Sequence, residues 1–427
     1  MAIDRRLTRR EFLERTAAAL ACATPAARAA SAGEPGFFYA YVGTYTPNGG
    51  GIYLFRIERA TAALMQMQVV DDIRNPSWLA VNPAQTRLYA ISEIDNYQAP
   101  KEGQGARDGQ GARDGQGARD GQEAKGGAVV TYAIDPISMQ LTRLSAVSSA
   151  GTSPAHVSVH SSGKFVFVAN YGGGNVAVFP VAADGTLGPA SDVRPSVGAR
   201  HHARAIDDPP GQFAVSDHEG PHVHMVAPDP TGQFVIANDA GLDLTLIWRL
   251  DAQGGRLLPA EAPVLIAPSG SAPRHFVFHP NGKFFYNLYE HDARVVVYDY
   301  DGGRGAMRLK QSVSTLPPHF AGSNLASEIL IAPDGRFLYV GNRLHSSIAI
   351  FAIAEDGQLR ATFETWTHAD SPRSVAMDPR GELLFSCNQR SDSITSFRIN
   401  PASGALAFTG RYEPVGSPAM MLALKPR

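Results

Sequence analysis

Cysteine is almost absent from this chain of 427 residues, which contains only Cys22 and Cys387. Cys22 lies in the N-terminal segment, which we expect to be removed as an export signal, so Cys387 would be the one cysteine of the mature protein. An exported protein with one thiol has no internal disulfide and is held together by packing. The sequence also lacks a Gly-x-Ser-x-Gly elbow and a base near Cys387, so little in it favours nucleophilic catalysis.

The chain also lacks an excess of either charge and any long apolar run. Its 38 Lys and Arg against 40 Asp and Glu give a net charge of −2. A balance this close to neutral predicts no binding to nucleic acid or to an anionic membrane surface. The apolar run near the N-terminus, Thr16–Ala23, is too short to span a bilayer, so we expect no membrane span.

The N-terminus has the features of an export signal. Thr8–Leu13 contains a twin-arginine motif, and small residues offer cleavage at Ala27–Ala29 or Ala30–Ala32. The charges, the apolar run and the cleavage site come in the order of a leader, which favours it over an amphipathic surface helix. We predict that residues 1–32 are a twin-arginine signal peptide and that the protein is periplasmic or secreted. Lipid anchoring at Cys22 is the weaker alternative, because Ala19 stands where a large aliphatic residue is usual in a lipoprotein signal.

The remainder of the chain repeats about every fifty residues. Each unit has a polar or small start, an apolar strand, a Pro/Gly turn, a second apolar strand ending near Asn, and a third strand. A Gly-containing hairpin turn then leads to a fourth strand. The 42 Gly and 30 Pro agree with many short strands joined by turns. The units begin at Pro76, Pro154, Pro221, Pro273, Ser327 and Pro372.

The two ends of the chain supply a split seventh unit. Phe37–Gly43 and Gly51–Ile57 look like second and third strands without a first, and Pro418–Leu424 looks like a first strand without a second. Pairing the two ends closes a ring and removes aggregation-prone edges. We therefore predict an all-β fold: one β-propeller domain over residues 33–427, with seven four-stranded blades closed by the C-terminal strand. An unclosed β-sandwich is the alternative.

A low-complexity segment, residues 101–127, interrupts the first of these units. It contains Gly-Gln-Gly-Ala-Arg-Asp three times in tandem from Gly103, and no apolar residue in it is larger than Ala. Such a segment cannot bury apolar surface. We predict a disordered loop insert that is neutral for function.

Two positions in each unit border the central channel of a propeller, the start of the first strand and the residue that ends the second strand. Aligned across the units, both positions vary and are mostly polar, which is typical of ligand-facing positions. The first-strand column is Ser77, Ala155, His224, Arg274, Ser327 and Arg373, and the next position carries Trp78, His156, Met225, His275, Glu328 and Ser374. The second-strand column includes Glu93, Tyr171, Glu290, Arg343 and Gln389.

The sharpest candidates combine two arginines, two carboxylates and paired histidines: His222, His224, Arg274, Glu290, Glu328 and Arg343. Arginine offers bidentate donors to carboxylate or phosphate. His and Glu can act as a general acid or base near neutral pH. Such a set can bind an anionic, oxygen-rich ligand and move a proton. The same charges could instead be structural ion pairs between blades, and residue types alone do not separate the two hypotheses.

A metal site is a weaker interpretation of His222 and His224. Residues two apart share one face of a strand, but no matching set of Asp, Glu or His recurs at ligand spacing. We expect no metal and no other cofactor. His201, His202 and His218 are expected at the surface of loops.

Five segments carry a family resemblance: Asn75–Ala80, Pro221–Met225, Ala272–Phe276, Ser327–Ile329 and Tyr339–Arg343. Together they resemble the lactonase family of seven-bladed propellers, over nearly everything from residue 37 to the C-terminus. The family's namesake activity is 6-phosphogluconolactonase, and it also includes carboxymuconate cyclases. The resemblance implies no metal requirement and places the family's proposed site residues at His224, Arg274, Glu290 and Arg343.

The activity implied by this resemblance is lactone hydrolysis without a covalent enzyme intermediate. Arg274 and Arg343 would bind the substrate and stabilise the oxyanion that forms when water attacks the ring carbonyl. His224 or Glu290 would take the proton from that water. Further contacts with the substrate are expected from His222, Glu328, His156 and Glu93.

The predicted export bears on the substrate, because 6-phosphogluconolactone is an intracellular metabolite. An unphosphorylated aldonolactone or another lactone suits the predicted location better. One alternative is cycloisomerisation of a muconate-type diacid at the same site. Another is a non-catalytic propeller that binds a sugar, a peptide or a protein partner. We expect the protein to be a monomer.

Overall fold

The computed structural model of the protein describes residues 36–97, 126–199 and 204–426. In this part of the chain 28 strands form seven sheets, each with four antiparallel strands. Six sheets are built from strands that follow one another in sequence. In the remaining sheet the C-terminal strand β28 lies beside β1. The fold is therefore a seven-bladed β-propeller, and the prediction of this fold is confirmed.

The strands of each blade are given from the innermost outwards. Blade 1 consists of β28 (Pro418–Ala423), β1 (Phe37–Thr44), β2 (Ile52–Glu58) and β3 (Leu64–Val70). Blade 2 consists of β4 (Leu79–Val81), β5 (Arg87–Ser92), β6 (Ala128–Ile134) and β7 (Leu141–Ser148). Blade 3 consists of β8 (Pro154–Val159), β9 (Phe165–Asn170), β10 (Asn175–Pro180) and β11 (Asp192–Pro195). Blade 4 consists of β12 (Val223–Pro228), β13 (Phe234–Asp239), β14 (Leu244–Asp251) and β15 (Arg256–Ile266). Blade 5 consists of β16 (Pro273–Phe278), β17 (Phe284–Tyr289), β18 (Arg294–Asp301) and β19 (Ala306–Ser314). Blade 6 consists of β20 (Ala326–Ile331), β21 (Phe337–Asn342), β22 (Ser347–Ile353) and β23 (Leu359–Trp366). Blade 7 consists of β24 (Pro372–Met377), β25 (Leu383–Asn388), β26 (Ser393–Ile399) and β27 (Leu406–Pro414).

The ring is closed by the C-terminal strand. The innermost strands of successive blades contact one another around the channel, and β28 contacts both β24 and β4. Within blade 1, β28 pairs with β1 so that Ala423 lies opposite Ala40 and Met421 lies opposite Val42. The predicted pairing of the two chain ends is confirmed, and β28 covers the edge of β1 that would otherwise be unpaired.

The core lies between the blades. The second strands β9, β13, β17, β21 and β25 are buried at every residue. Neighbouring blades cover both faces of these strands, which is why they are continuous apolar runs rather than alternating patterns. Between blades 5 and 6, for example, Tyr286 and Val297 pack with Leu338 and Phe351. This packing fixes the innermost strands, which carry the candidate site.

Two predicted segments lie outside the described residues. They are the signal peptide at residues 1–32 and the insert at residues 101–127, of which only Gly126 and Gly127 are described. Both stay predictions, and so does the expectation for His201 and His202. Within the described ranges, no helix has the length and apolarity needed to cross a membrane.

Candidate active site

The first-strand column coincides with a recurring β-bulge. In six blades two residues at the start of the innermost strand oppose one residue of the second strand. The bulge lies between Val223 and Met225 in β12 and between Pro273 and His275 in β16. A bulge re-aims a side chain away from the regular alternation of the strand. His224 and Arg274 are such residues, which explains why this position varies so strongly between repeats.

The second-strand column is held beside the first by a repeated backbone hydrogen bond. Glu290 donates its N–H to the carbonyl of Ala272 at 2.8 Å, and Arg343 donates to the carbonyl of Leu325 at 3.0 Å. The equivalent bond recurs in the other five blades, at Tyr45, Glu93, Tyr171, Ala240 and Gln389. Both columns therefore lie at the same end of the channel in every blade.

Glu290 joins the two arginines that the sequence singled out. Its Oε2 lies 3.0 Å from Nε of Arg274, and its Oε1 lies 2.6 Å from Nη2 of Arg343. The side chains of Arg274 and Glu290 are 3% and 4% exposed, whereas that of Arg343 is 13% exposed. Burial raises the pKa of Glu290, but Arg343 and Arg274 outweigh burial and lower this pKa to about 2.

One carboxylate thus faces two guanidinium groups, and the cluster keeps an excess of positive charge. Burial, and next the charge of Arg343, lower the pKa of Arg274 to about 9, so that Arg274 is still a cation at neutral pH. Arg274 Nη1 also donates to the backbone carbonyl of Ser327. Arg343 donates from Nε and Nη2 to the carbonyls of Leu325 and Ala326, both at 3.3 Å. These bonds hold both guanidinium groups in place, as oxyanion stabilisation requires.

Ser216 is a further partner of Glu290 that was not predicted from the sequence. Its hydroxyl donates a hydrogen bond to Glu290 Oε1, and its backbone N–H donates to Nε2 of His291 at 2.7 Å. Ser216 belongs to the long loop between β11 and β12. The same loop is anchored on blade 6 by Gln212, whose Nε2 donates to the carbonyl of Asn324 at 2.8 Å. No repeat pattern could have revealed Ser216, because the loop has no counterpart in the other units.

A chain of hydrogen-bonding side chains begins at His224. His224 Nδ1 lies 3.2 Å from Nε2 of His275, and His275 Nδ1 lies 3.0 Å from Oε1 of Glu328. Burial, and next the charge of Arg274, lower the pKa of both histidines well below its ordinary value. Both rings are therefore neutral near pH 7. Burial raises the pKa of Glu328 to about 8.

His156 lies beside this chain and packs against its central ring. The centroid of its ring is 5.8 Å from that of His275 and 4.7 Å from that of Trp78. Burial, and next the neighbouring His275, lower the pKa of His156 well below its ordinary value. The geometry thus places His156 where it supports the His275 ring, and its predicted contact with the substrate stays a prediction.

His222 and His224 are separated by Tyr171. His222 Nδ1 lies 3.1 Å from the carbonyl oxygen of Tyr171, and the two rings stack at 4.6 Å. The edge of the same tyrosine ring faces His224 at 5.7 Å. Within the described part of the chain, no group of three or more His, Cys, Asp or Glu side chains is placed to hold a metal ion.

Glu93 is linked to Arg373 through hydrogen bonds to Tyr45. Tyr45 Oη donates to Glu93 Oε2 at 2.7 Å, and Arg373 Nη2 donates to Tyr45 Oη at 2.6 Å. The Arg373 guanidinium also lies over the Tyr45 ring, 4.9 Å from its centroid. Arg373 is the bulge residue of β24. It stands in the first-strand column, so the criterion that selected Arg274 could have selected Arg373 too.

A cavity of about 430 Å³ opens at this end of the channel. Its lining includes Arg343, Arg373 and Arg390, with Gln389 and Asn48 as neutral polar groups. None of the described residues that line it is acidic. The volume is that of a small-molecule site, and guanidinium groups bind carboxylate, phosphate or a developing oxyanion. The cavity therefore suits an anionic or oxygen-rich ligand.

The expectation that His218 lies at a loop surface is wrong. Its residue is 7% exposed, and its Nε2 lies 3.3 Å from Oδ1 of Asp243. Burial lowers the pKa of His218, but the hydrogen bond with Asp243 outweighs burial and raises it. The His218 ring also packs 4.9 Å from that of His291. The loop folds inwards here because Asp243 and His291 offer buried polar partners, and no local sequence signal marks that.

Comparisons with known proteins agree with this architecture. The family described as Lactonase, 7-bladed beta-propeller, matches residues 39–423. The 6-phosphogluconolactonase of Bacillus subtilis is 32% identical over 371 residues, which are 86% of this chain and 93% of that protein. The 6-phosphogluconolactonase of Pectobacterium carotovorum is 32% identical over 284 residues, which are 66% of this chain and 78% of that protein.

Solved structures show the same likeness. The structure of a periplasmic gluconolactonase from Pseudomonas aeruginosa has a TM-score of 0.76 and 30% identity, over 91% of this chain and 99% of that one. A Lactobacillus plantarum protein has a TM-score of 0.75 and 26% identity, over 91% of this chain and all of its own. With its family match, its relatives and its seven blades, this chain belongs to the lactonase family of seven-bladed β-propellers.

Proposed function

We propose that the protein hydrolyses a sugar lactone in the cavity lined by Arg343 and Arg373. The observation that supports this most is the placement of two guanidinium groups, one buried and one at the cavity, around a single carboxylate. The cluster carries an uncompensated positive charge beside a cavity of about 430 Å³. Its relatives are named 6-phosphogluconolactonase and gluconolactonase, which are enzymes that open lactone rings.

In this proposal the arginines stabilise the oxyanion. Attack of water on the ring carbonyl moves negative charge onto the carbonyl oxygen, and a guanidinium interacts more strongly with that charge than with the neutral carbonyl. Arg343 lines the cavity directly, and Arg274 lies behind it across Glu290. Because the guanidinium groups polarise the ring carbonyl and stabilise the oxyanion, we propose a route that needs no metal ion. Collapse of the tetrahedral intermediate then breaks the ring C–O bond.

His224 is a better general base than Glu290. A base needs a lone pair that is free to accept a proton, and both oxygens of Glu290 are bound to arginines. The pKa of Glu290 is lowered to about 2 by its two arginines, so Glu290 is a poor proton acceptor. His224 is neutral near pH 7 and therefore has one ring nitrogen with a free lone pair. We assign proton abstraction from water to His224 and the positioning of Arg274 and Arg343 to Glu290.

The substrate is either an unphosphorylated aldonolactone or its phosphate ester. Arg373 and Arg390 line the cavity beside Arg343 and can bind a phosphate group or the hydroxyl oxygens of a sugar. The predicted twin-arginine leader favours the unphosphorylated substrate, because a sugar phosphate is an intracellular metabolite. One structural relative is itself named a periplasmic gluconolactonase. We therefore propose export to the periplasm or beyond, and action on an aldonolactone there.

A titrimetric assay of acid release tests the proposal. The substrates are gluconolactone, 6-phosphogluconolactone and muconolactone, each corrected for spontaneous hydrolysis in a blank without enzyme. We expect hydrolysis of at least one aldonolactone by the wild type and its loss in Arg343→Ala. Arg360→Ala is the matched control, because Arg360 is exposed on the outer strand β23. Rates equal to the blank for both aldonolactones would refute the proposal, and activity with muconolactone alone would favour the cyclase alternative.

A further inference from the structure

We propose that His224, His275 and Glu328 form a proton relay, in which Glu328 stores the proton removed from the attacking water and returns it to the leaving oxygen. This inference rests on the proposed lactone hydrolysis. It makes Glu328 a positioning and proton-storing residue rather than a substrate contact. It also gives a role to His275, which was not among the candidate residues predicted from the sequence and which lies between His224 and Glu328 in the relay.

The three side chains come from the innermost strands of three successive blades. His224 is in β12, His275 is in β16 and Glu328 is in β20. The two contacts, His224 Nδ1 to His275 Nε2 and His275 Nδ1 to Glu328 Oε1, measure 3.2 and 3.0 Å. Both contacts are therefore within hydrogen-bonding distance. His224 Nε2 is the one nitrogen of the two rings left over by these contacts. We place it against the attacking water, because the charges of Arg274, Arg373 and Arg343 act on His224 and, after burial, lower its pKa.

The far end of the chain faces a different part of the channel. Glu328 lines a second cavity of about 320 Å³, together with Trp78, Leu330 and Met420. That cavity is separate from the one lined by Arg343 and Arg373. The relay therefore leads from the arginine site to a carboxyl group in mainly apolar surroundings. A proton placed on Glu328 is held away from the arginine site.

Two arrangements of protons along the chain follow from these contacts. In the first, His224 Nδ1–H donates to His275 Nε2, and His275 Nδ1–H donates to the Glu328 carboxylate. The lone pair on His224 Nε2 is then free to take a proton from water. In the second, Glu328 O–H donates to His275 Nδ1, and His275 Nε2–H donates to His224 Nδ1. His224 Nε2 then carries a proton that it can donate.

Hydrolysis converts the first arrangement into the second and back. Water loses a proton to His224 Nε2 as its oxygen bonds to the ring carbonyl, and one proton moves along each link until Glu328 is protonated. When the ring C–O bond breaks, the leaving oxygen takes the proton from His224 Nε2, and the links shift back. No proton is gained or lost along the relay over the cycle. The relay thus supplies both the base and the acid that the reaction needs.

The environment of Glu328 suits a group that takes up and returns a proton near neutral pH. Burial raises its pKa to about 8, against the opposing effects of Arg274 and of hydrogen bonds from Ile329 N–H and Ser374. The other titratable groups that face it are His275 on β16 and the buried thiol of Cys387 on β25, whose pKa is raised by burial and next by Glu328. Glu290 differs in this respect, because its pKa is held at about 2.

The pH dependence of kcat tests the relay, using the aldonolactone that the wild type hydrolyses. The first arrangement needs an ionised Glu328, so wild-type kcat should rise about tenfold per pH unit up to roughly pH 8 and then level off. Glu328→Gln should lose this slope, and its kcat at pH 8 should fall about 10- to 100-fold with little change in KM. Glu328→Asp keeps an ionisable carboxyl and should keep the slope at a lower kcat.

Glu413→Gln is the matched control. Burial also raises the pKa of Glu413, but this residue lies on the outermost strand β27 of blade 7. The control should keep the wild-type kcat and pH profile. A wild-type slope retained in Glu328→Gln would overturn the relay, and an unchanged kcat in that variant would do the same.

Infrared spectroscopy keeps the relay testable without turnover. The wild type should show a carboxylic acid C=O band that disappears near pH 8 and is missing in Glu328→Gln. The comparison with this variant is essential, because the pKa of Asp292 is also raised to about 8 by burial. If no such band differs between the two proteins, the relay is wrong even in an active lactonase. If the wild type hydrolyses no lactone but the band is present, the proposed function fails while the proton store itself is upheld.

Discussion

Replacing Arg343 by Ala separates a catalytic role of the arginine cluster from a structural one. Arg343 contributes one of the two guanidinium groups that face Glu290, and it is also the group that lines the cavity. If Arg343 stabilises the oxyanion, its loss removes an interaction made mainly in the transition state. If it forms a structural ion pair between blades, its loss lowers the stability of the fold.

The magnitude follows from the geometry of the cluster. Removing one fixed donor to an oxyanion raises the barrier by about 3 kcal/mol, which lowers kcat by roughly 100-fold. The effect on stability should be only about 1 kcal/mol. Glu290 keeps Arg274 at 3.0 Å and the hydroxyl of Ser216 as partners, and water can enter the space that Arg343 vacates.

Arg274→Ala should behave differently. The Arg274 side chain is 3% exposed and also binds the carbonyl of Ser327, so its removal leaves a buried void and an unpaired acceptor. We expect loss of activity together with a clear fall in melting temperature. Arg343→Lys keeps the charge but not the planar fork, and its kcat should lie between those of the wild type and Arg343→Ala.

The assay measures kcat and melting temperature on the same purified samples, with Arg360→Ala as the control for loss of an arginine. A normal kcat per folded molecule in Arg343→Ala, combined with a strongly lowered melting temperature, would refute a catalytic role of Arg343. The arginine cluster would then be an ion pair that ties blades 5 and 6 together.

Four further predictions concern the rest of the chain. Deleting residues 417–427 removes β28 and reopens the ring, so the protein should lose its cooperative melting transition, and melting like the full-length protein would rule out the need for closure. Removing residues 103–120 should leave melting temperature and kcat nearly unchanged, because lengthening a loop costs only ~0.6 kcal/mol per doubling of its length. A large loss of activity would mean that the insert has a function. Changing both Arg9 and Arg10 to Lys should leave an uncleaved precursor in the cytoplasm, as followed by cell fractionation, and normal export would contradict the twin-arginine prediction. Because the pKa of Glu290 is lowered from 4.5 to about 2, its ion pairs stabilise the fold above about pH 4.5 and are lost as the pH falls towards 2. In Glu290→Gln the melting temperature should therefore depend less on pH between pH 5 and pH 2, and an unchanged pH dependence would contradict this.

The repeat determined the fold because a blade is local in sequence. Strands that follow one another along the chain are neighbours in six of the seven sheets, so the period carries nearly all of the hydrogen-bonding pattern. The split unit at the two ends was enough to predict the pairing of β28 with β1. Aligning the units also placed His224 and Arg274 in one column and Glu290 and Arg343 in another. These columns exist because every blade is the same element turned about the channel.

Only the tertiary structure decided which members of the columns meet. Arg343 binds Glu290 across 53 residues of sequence, and His275 reaches Glu328 across another 53, because adjacent blades contact at the channel. No sequence distance or residue type distinguishes Glu290 from Glu328. Yet the pKa of Glu290 is about 2 and that of Glu328 is about 8, because two guanidinium groups surround the first carboxylate whereas burial dominates at the second. Charge state in a buried site depends on the side chains that the fold brings together, and the sequence by itself does not specify them.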